Sequence, residues 1–370
     1  MQVIRKSIFK QFIPNTFIGG VASNTGSIFL MAQALNLNTD RIRTFNIVGN
    51  DTQFAVTGAI YGTASNGFRD NYLIKYFYDN DGLVTSFGTN SFRSSTIEEV
   101  IALNCITVFG QNATNSGAFQ SATALRIFTS NSLTTIGFFG FFGCVNLEYL
   151  NVSIVTNLGF ICFQNCHKII FNSFDSLVNM SGSPSFSECR ANTLLNFPVL
   201  ISMLTGNIMF LGNTALVTLN MPELITASTS LSDRGLSNCV NLVNLNINKL
   251  TTLTGASTIP NTALGMMRNT PNFKIFNAPE LTSMEVPCMF QNASGLELIS
   301  CKKVQNFGFP TADHNLFFDG IKLNCVIEVH INNATNDGLG GASKSLVWVK
   351  ENRNATVNFF DNNGIYVSTL

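Results

Sequence analysis

Charge is what this chain of 370 residues has least of. Asp, Glu, Lys and Arg make up 11% of it, and 21 basic residues cancel 21 acidic ones. So few cations, with no excess, offer little counterion release on a phosphate backbone, which argues against nucleic acid as a partner. A polybasic contact with a membrane surface is disfavoured on the same ground. Histidine occurs three times, at His167, His314 and His330, in unrelated contexts, and neither an H-E-x-x-H nor a G-x-S-x-G pattern is present. Tryptophan occurs once and tyrosine six times against 33 phenylalanines. Phe fills cores without needing a polar partner, whereas Tyr and Trp dominate recognition surfaces, so most of the aromatic content reads as packing. An uninterrupted apolar run is also missing. Residues 191–222 carry no charge, but Asn192, Asn196, Pro198, Thr205, Asn207, Asn213 and Asn220 punctuate them, so no membrane span is expected. Lys10, Gln11 and Pro14 interrupt the start of the chain, and no secretory signal is read there.

What the chain has in quantity is hydrophobic residues, 45% of the total, together with 46 Asn, 34 Thr and 31 Ser. Its mean hydropathy of +0.24 excludes a disordered chain. Amides and hydroxyls in this number suit turns repeated many times.

The repeat is visible in fixed offsets. From Phe141, apolar or small residues follow at Cys144, Leu147, Leu150 and Val152. The same offsets recur from Phe210 (Asn213, Leu216, Leu219, Met221), from Leu236 (Cys239, Leu242, Leu245, Ile247) and from Phe290 (Ala293, Leu296, Ile299, Cys301). Weaker copies start at Phe68, Phe92, Phe119, Phe163, Phe186, Met267 and Phe317, so that successive anchors lie 22 to 31 residues apart. This is the period of a leucine-rich repeat. The segment L-x-x-L-x-L ends in the in-out-in alternation of a short strand with one buried face. A second apolar pair, such as Leu133 with Ile136 or Leu250 with Leu253, points inward from the other side of the coil, and the Phe anchor closes it. One coil cannot bury these residues alone, so the units must stack.

The stretch LTTIGFFGFFGCVNL (133–147), with copies such as VTNLGFICFQNCHKI (155–169), resembles the BspA-type leucine-rich repeat, over about residues 68–326. The resemblance implies a repeat solenoid: coils with a parallel β-sheet face and short irregular or 3-10 segments on the other faces. Non-repeat caps are expected at both ends. The expected organisation is an N-terminal cap or attachment region over 1–60, a solenoid of about eleven repeats over 61–330, and a C-terminal cap over 331–370. Within the first of these, 27–37 looks helical and the stretches RTFNIVGN and QFAVTGAIYG look strand-like. Beyond the linker GLGGAS (338–343), charge and strand propensity rise together.

Nine cysteines are present, and Cys144, Cys166, Cys189 and Cys239 share one position, three after the anchor. Spacing that follows the coil reads as buried, reduced thiols rather than metal ligands. Cys162 and Cys166 with His167 form the one cluster to weigh as a metal site, and it lacks a fourth ligand. DNDG (79–82) reads as a turn, since Asn90 stands where a calcium loop needs its bidentate Glu. GLGGASKS (338–345) lacks the Gly a phosphate loop places before its Lys. No catalytic residue, cofactor or metal is assigned.

Ten residues after the anchors, on the outward side of the strand, lie Tyr78, Thr129, Asn151, Ser173, Asn196, Asn220, Asn246, Asn277 and Ser300. In register they make an uncharged polar stripe, readable either as a self-bonded amide ladder or as a shallow site for a glycan or protein.

A stacked scaffold with no catalytic constellation points to a non-enzymatic structural and binding protein. In overall character the chain is similar to repeat-bearing appendage proteins of bacteriophages that infect Bacteroidota. That similarity implies a virion component, a tail or head fibre or a receptor-binding protein. Its partners would be other virion proteins and a host-surface glycan or protein, with self-assembly into a homo-oligomer open. The BspA-type resemblance implies the alternative, a cell-surface adhesin binding host or matrix protein or glycan.

Overall fold

The computed structural model describes residues 16–19, 44–47, 69–70, 72, 75–79, 84–111, 116–180, 186–203, 209–227, 234–254, 265–285, 289–307, 318–334 and 344–370. The helical-looking 27–37, the stretch QFAVTGAIYG, the linker 338–343 and the anchors Phe68 and Phe317 lie outside them. The chain forms a parallel β-solenoid with little helix. It comprises two compact units, Met1–Asn172 and Ser173–Leu370.

In the first unit each coil contributes a strand to a six-stranded sheet whose order follows the chain: 16–19, 44–47, 76–79, 99–101, 127–129 and 149–150. All five pairings are parallel. Two of these strands, Thr16–Gly19 and Thr44–Ile47, belong to the region expected to be a cap, and they pair in the same register sense as the repeats. In from the sheet, Phe77, Val100, Phe128 and Leu150 are buried in line, the inward half of the period-two alternation. The opposite wall is more regular than irregular segments would be: residues 86–87, 107–108, 135–136 and 157–158 form a second parallel ladder. Its inward residues Phe87, Val108, Ile136 and Leu158 are the second apolar position of each coil.

Between the walls the anchors Phe92, Phe119, Phe141 and Phe163 stack face to face, with centroids 5.3, 5.3 and 6.1 Å apart and ring planes within 7°. Two residues after each anchor the backbone turns left-handed, at Asp70, Ser94, Ser121, Gly143 and Asn165, with φ from 54 to 71°. Ser, Asn, Asp and Gly fill the column because short polar side chains or no side chain tolerate that region. The conformation turns N–H groups along the stack, so that Ser121 N donates to Phe142 O at 2.7 Å and Gly143 N to Gln164 O at 2.9 Å. Gly137 and Gly159 recur for a different reason. A Cβ on Gly159 would lie 2.5 Å from the backbone of Gly137 and Phe138, so the coils approach closely there.

The second unit repeats the plan. One wall carries a three-stranded sheet (194–196, 218–220, 244–246) and a five-stranded one (275–277, 298–301, 326–330, 356–360, 366–369). The other wall is a six-stranded parallel ladder, 179–180, 202–203, 226–227, 252–254, 283–285 and 306–307. The long coil from Leu236 to Met267 separates the two sheets of the first wall while the second ladder runs through. Phe186 stacks on Phe210, and Phe290 on Phe318 at 6.1 Å and 11°. The last anchor is therefore Phe318, one residue later than the repeat spacing placed it. Asn292 N donating to Asp319 O fixes the same register.

At the C-terminal end SLVWVKENR is helical, within Lys344–Arg353, and not strand. Burial of Leu346 and Val349 against the coils outweighs the β propensity of that short apolar run. Thr356–Phe360 then pairs parallel with Val326–His330, and Tyr366–Thr369 folds back antiparallel on it. That hairpin is closed by Asp361, whose carboxylate accepts from Ile365 N and Asn363 N, bonds that hold it below the usual range.

Candidate functional site: the outward face of the strand ladders

The outward positions of the first-wall strands are partly or fully exposed, in register and ordered by the repeat. In the first unit the stripe expected from the sequence includes Tyr78, Thr129 and Asn151. Ile101 completes it, paired with Tyr78 on one side and Thr129 on the other. The tenth residue after Phe92, Ala102, is buried instead, because that coil reaches the strand one residue early. A second outward row runs beside the first: Tyr76 pairs with Glu99, Glu99 with Ile127 and Ile127 with Tyr149. The sequence reading did not single out this row. Its signal was the placement of Tyr76 and Tyr149, two of the chain's six tyrosines, at strand positions of outward parity.

Local chemistry ties these rows together. The rings of Tyr76 and Tyr78 lie 6.2 Å apart with planes 27° apart. Tyr78 Oη donates to Glu99 Oε2 at 3.1 Å. Burial, and then the neighbouring Glu99 carboxylate, push the Tyr78 hydroxyl up to about 12, so it remains a donor well above neutral pH. Tyr149 is half exposed. Along the margin, Lys75 pairs with Glu98 and Arg126 with Glu148, each at 3.0 Å.

In the second unit the stripe is spent on itself. Asn196 Nδ2 donates to Ser173 Oγ at 2.7 Å, Asn220 Nδ2 to Asn196 Oδ1 at 2.6 Å, and Asn246 Nδ2 to Asn220 Oδ1 at 2.8 Å. Each amide hands its donor to the preceding coil, and the run stops at Asn246, whose Oδ1 accepts from none of the described residues. The sheet break lies between Asn246 and Asn277. Ser300 instead donates to Glu328 Oε2 at 2.6 Å, and Glu328 also faces Lys302 at 3.6 Å. In the first unit Asn151 makes one such contact, accepting from Asn172 Nδ2 at 2.9 Å.

Among the described residues the cysteines face inward. Cys144, Cys166 and Cys239 donate their thiols to the carbonyls of Phe119, Phe141 and Phe210, the anchors of the preceding coils, at 3.0 to 3.2 Å. Burial pushes the Cys166 and Cys239 thiols up to about 12 and the Cys144 and Cys162 thiols well above their ordinary value. Cys162 and Cys166 are both fully buried, and among the described residues no three metal-ligating side chains gather. His330 is held by Asn362 Oδ1 at 2.9 Å, and His314 lies outside the described residues. Asp79, which opens DNDG, is the last residue of strand Tyr76–Asp79, and its Oδ2 accepts from Val84 N at 2.7 Å; residues 80–82 lie outside the described residues. No helix among the described residues is long and apolar enough to cross a membrane.

Comparison with known proteins bears on the repeat. Residues 85–210 and 113–243 match the model of the BspA type leucine rich repeat region, in six copies. No curated protein matches the chain. Among solved structures, a leucine-rich repeat protein from Bacteroides ovatus is 13% identical, with a TM-score of 0.24 over 74% of this chain and 82% of that one. The pneumococcal vaccine antigen PcpA is 13% identical, with a TM-score of 0.33 over 90% and 78%. A complex of TLR13 with ssRNA13 is 12% identical, with a TM-score of 0.30 over 78% of this chain and 46% of that one. Superpositions this loose bear on neither ligand nor partner.

Proposed function

We propose, from the membership of residues 85–243 in the BspA-type leucine-rich repeat region, that the protein is a non-enzymatic attachment scaffold. It binds through the outward positions of its strand ladders. The observation that carries this reading is the register of those positions. Coil after coil places one outward residue beside the next, which is how solenoids build extended recognition surfaces. The neutral, amide-rich and hydroxyl-rich composition supports a particle-borne role, as part of a fibre or receptor-binding assembly of a bacteriophage. The repeat type favours a second setting, an adhesin on a cell surface. Detection of the chain in purified particles by mass spectrometry is expected for the first, and labelling by an impermeant reagent on intact cells for the second. Finding it in neither, with no binding of the purified protein to intact cells, would overturn the attachment reading.

A further inference from the structure

The two outward rows of the first unit differ chemically from a self-bonded amide ladder. Tyr76, Glu99, Ile127 and Tyr149 form one row, and Tyr78, Ile101 and Thr129 the other. Four rungs at the strand spacing of about 4.8 Å put Tyr76 and Tyr149 roughly 14 Å apart, and the two rows are about 7 Å apart along the strands. From Tyr76 to Tyr149 the patch is on the order of 100 Å² in plan. It matches a short, flat ligand lying across the strands.

Its chemistry narrows the class further. Aromatic rings offer apolar faces with polar tips. Glu99 keeps a carboxylate oxygen beyond the one that Tyr78 engages, able to accept from a ligand hydroxyl. The cations at the margin, Lys75 and Arg126, are matched by Glu98 and Glu148. Lys168 also faces Glu148, so with Glu99 the three cations and three carboxylates balance and the face offers a polyanion no net attraction. Flat rings beside a hydroxyl-accepting carboxylate and no net positive charge suit a neutral polyol with alternating C–H faces and hydroxyls.

We propose that the outward face of strands 76–79, 99–101, 127–129 and 149–150 is a binding platform for a neutral oligosaccharide. Tyr76, Tyr78 and Tyr149 act as stacking residues and Glu99 as the hydroxyl acceptor. This rests on the attachment reading and names the partner class of one of its faces.

The test is calorimetric titration of the full chain with neutral hexasaccharides of the β-1,3-glucan, β-1,4-glucan, mannan and chitin series, with heparin as the polyanionic control. Binding of at least one neutral hexasaccharide and none of heparin is expected. Tyr149→Ala and Tyr76→Ala should each weaken it roughly tenfold with an unchanged melting temperature. Tyr78→Phe with Glu99→Gln should weaken it further, whereas Asn220→Ala in the other unit should leave it unaltered. Equal affinity of wild type and tyrosine variants would overturn the platform. Absence of binding to every neutral hexasaccharide would overturn the oligosaccharide class. If binding to intact cells then persisted and fell with Tyr149→Ala, the attachment reading would survive with a protein partner.

Discussion

Two stretches built on the same coil use their outward strand positions in opposite ways. Between residues 76 and 151 those positions hold Tyr76, Tyr78, Glu99, Ile101, Ile127, Thr129, Tyr149 and Asn151, mostly side chains with surface left over. Between residues 173 and 246 one row holds Ser173, Asn196, Asn220 and Asn246, and each Asn Nδ2 donates to the preceding coil. Beneath both faces the cores follow one scheme, with Phe119, Phe128 and Phe141 in one unit answered by Phe186, Phe197 and Phe210 in the other. A solenoid separates core from face: the inward positions set stability, and the outward ones are free to be mortar or binding surface.

That contrast can be attacked from several sides. The broadest effect should come at high pH and strike both units. The folded-state pKa values of Cys105, Cys166 and Cys239 are raised to about 12 by burial. Their stabilising share is therefore intact below the unfolded thiol value near 9 and is lost as pH climbs from there towards 12. Thermal melts across pH 8 to 12 should show a steep fall, reduced by Cys166→Ala; a flat profile would contradict buried thiols. At neutral pH these thiols should react with a thiol-specific dye only on unfolding.

Next in size, Phe141→Ala and Phe210→Ala should each cost roughly 3 to 5 kcal/mol in urea denaturation. Similar losses in both units would place the difference in the faces alone. Asn220→Ala removes a donor to Asn196 and an acceptor from Asn246 and should cost about 1 to 3 kcal/mol. A neutral result would mean that the ladder is not mortar. Tyr149→Ala should shift stability by no more than about 0.5 kcal/mol. A large loss there would make the tyrosine face structural and erase the contrast.

Much of the core was legible in the chain. Offsets of three, six, nine and eleven from Phe141 identified the buried Cys144, Leu147, Leu150 and Val152, because burial on a strand has a strict period, and of the residues so placed from Leu236 only Leu245 is part-exposed. The face was legible only in part. Counting ten residues from the anchor found Asn196, Asn220 and Asn246, but it missed Ile101, where one coil is a residue shorter before its strand, and passed over the parallel row of Tyr76, Ile127 and Tyr149. The terminal helix was missed because Val and Trp in 344–353 favour strand locally, while packing of Leu346 and Val349 decides otherwise.

By itself the sequence determined the coil: its period, all but the last of its described anchors, and its buried thiols. All of these follow from local sterics and from the need of every coil to bury the same positions. Only the tertiary structure decided which outward residues become neighbours, since residues 21 to 28 apart in sequence meet only once register is set across the sheet. It is register that joins Asn196 to Asn220 and Tyr78 to Glu99, and so turns one stretch of the neutral face into mortar and leaves another open.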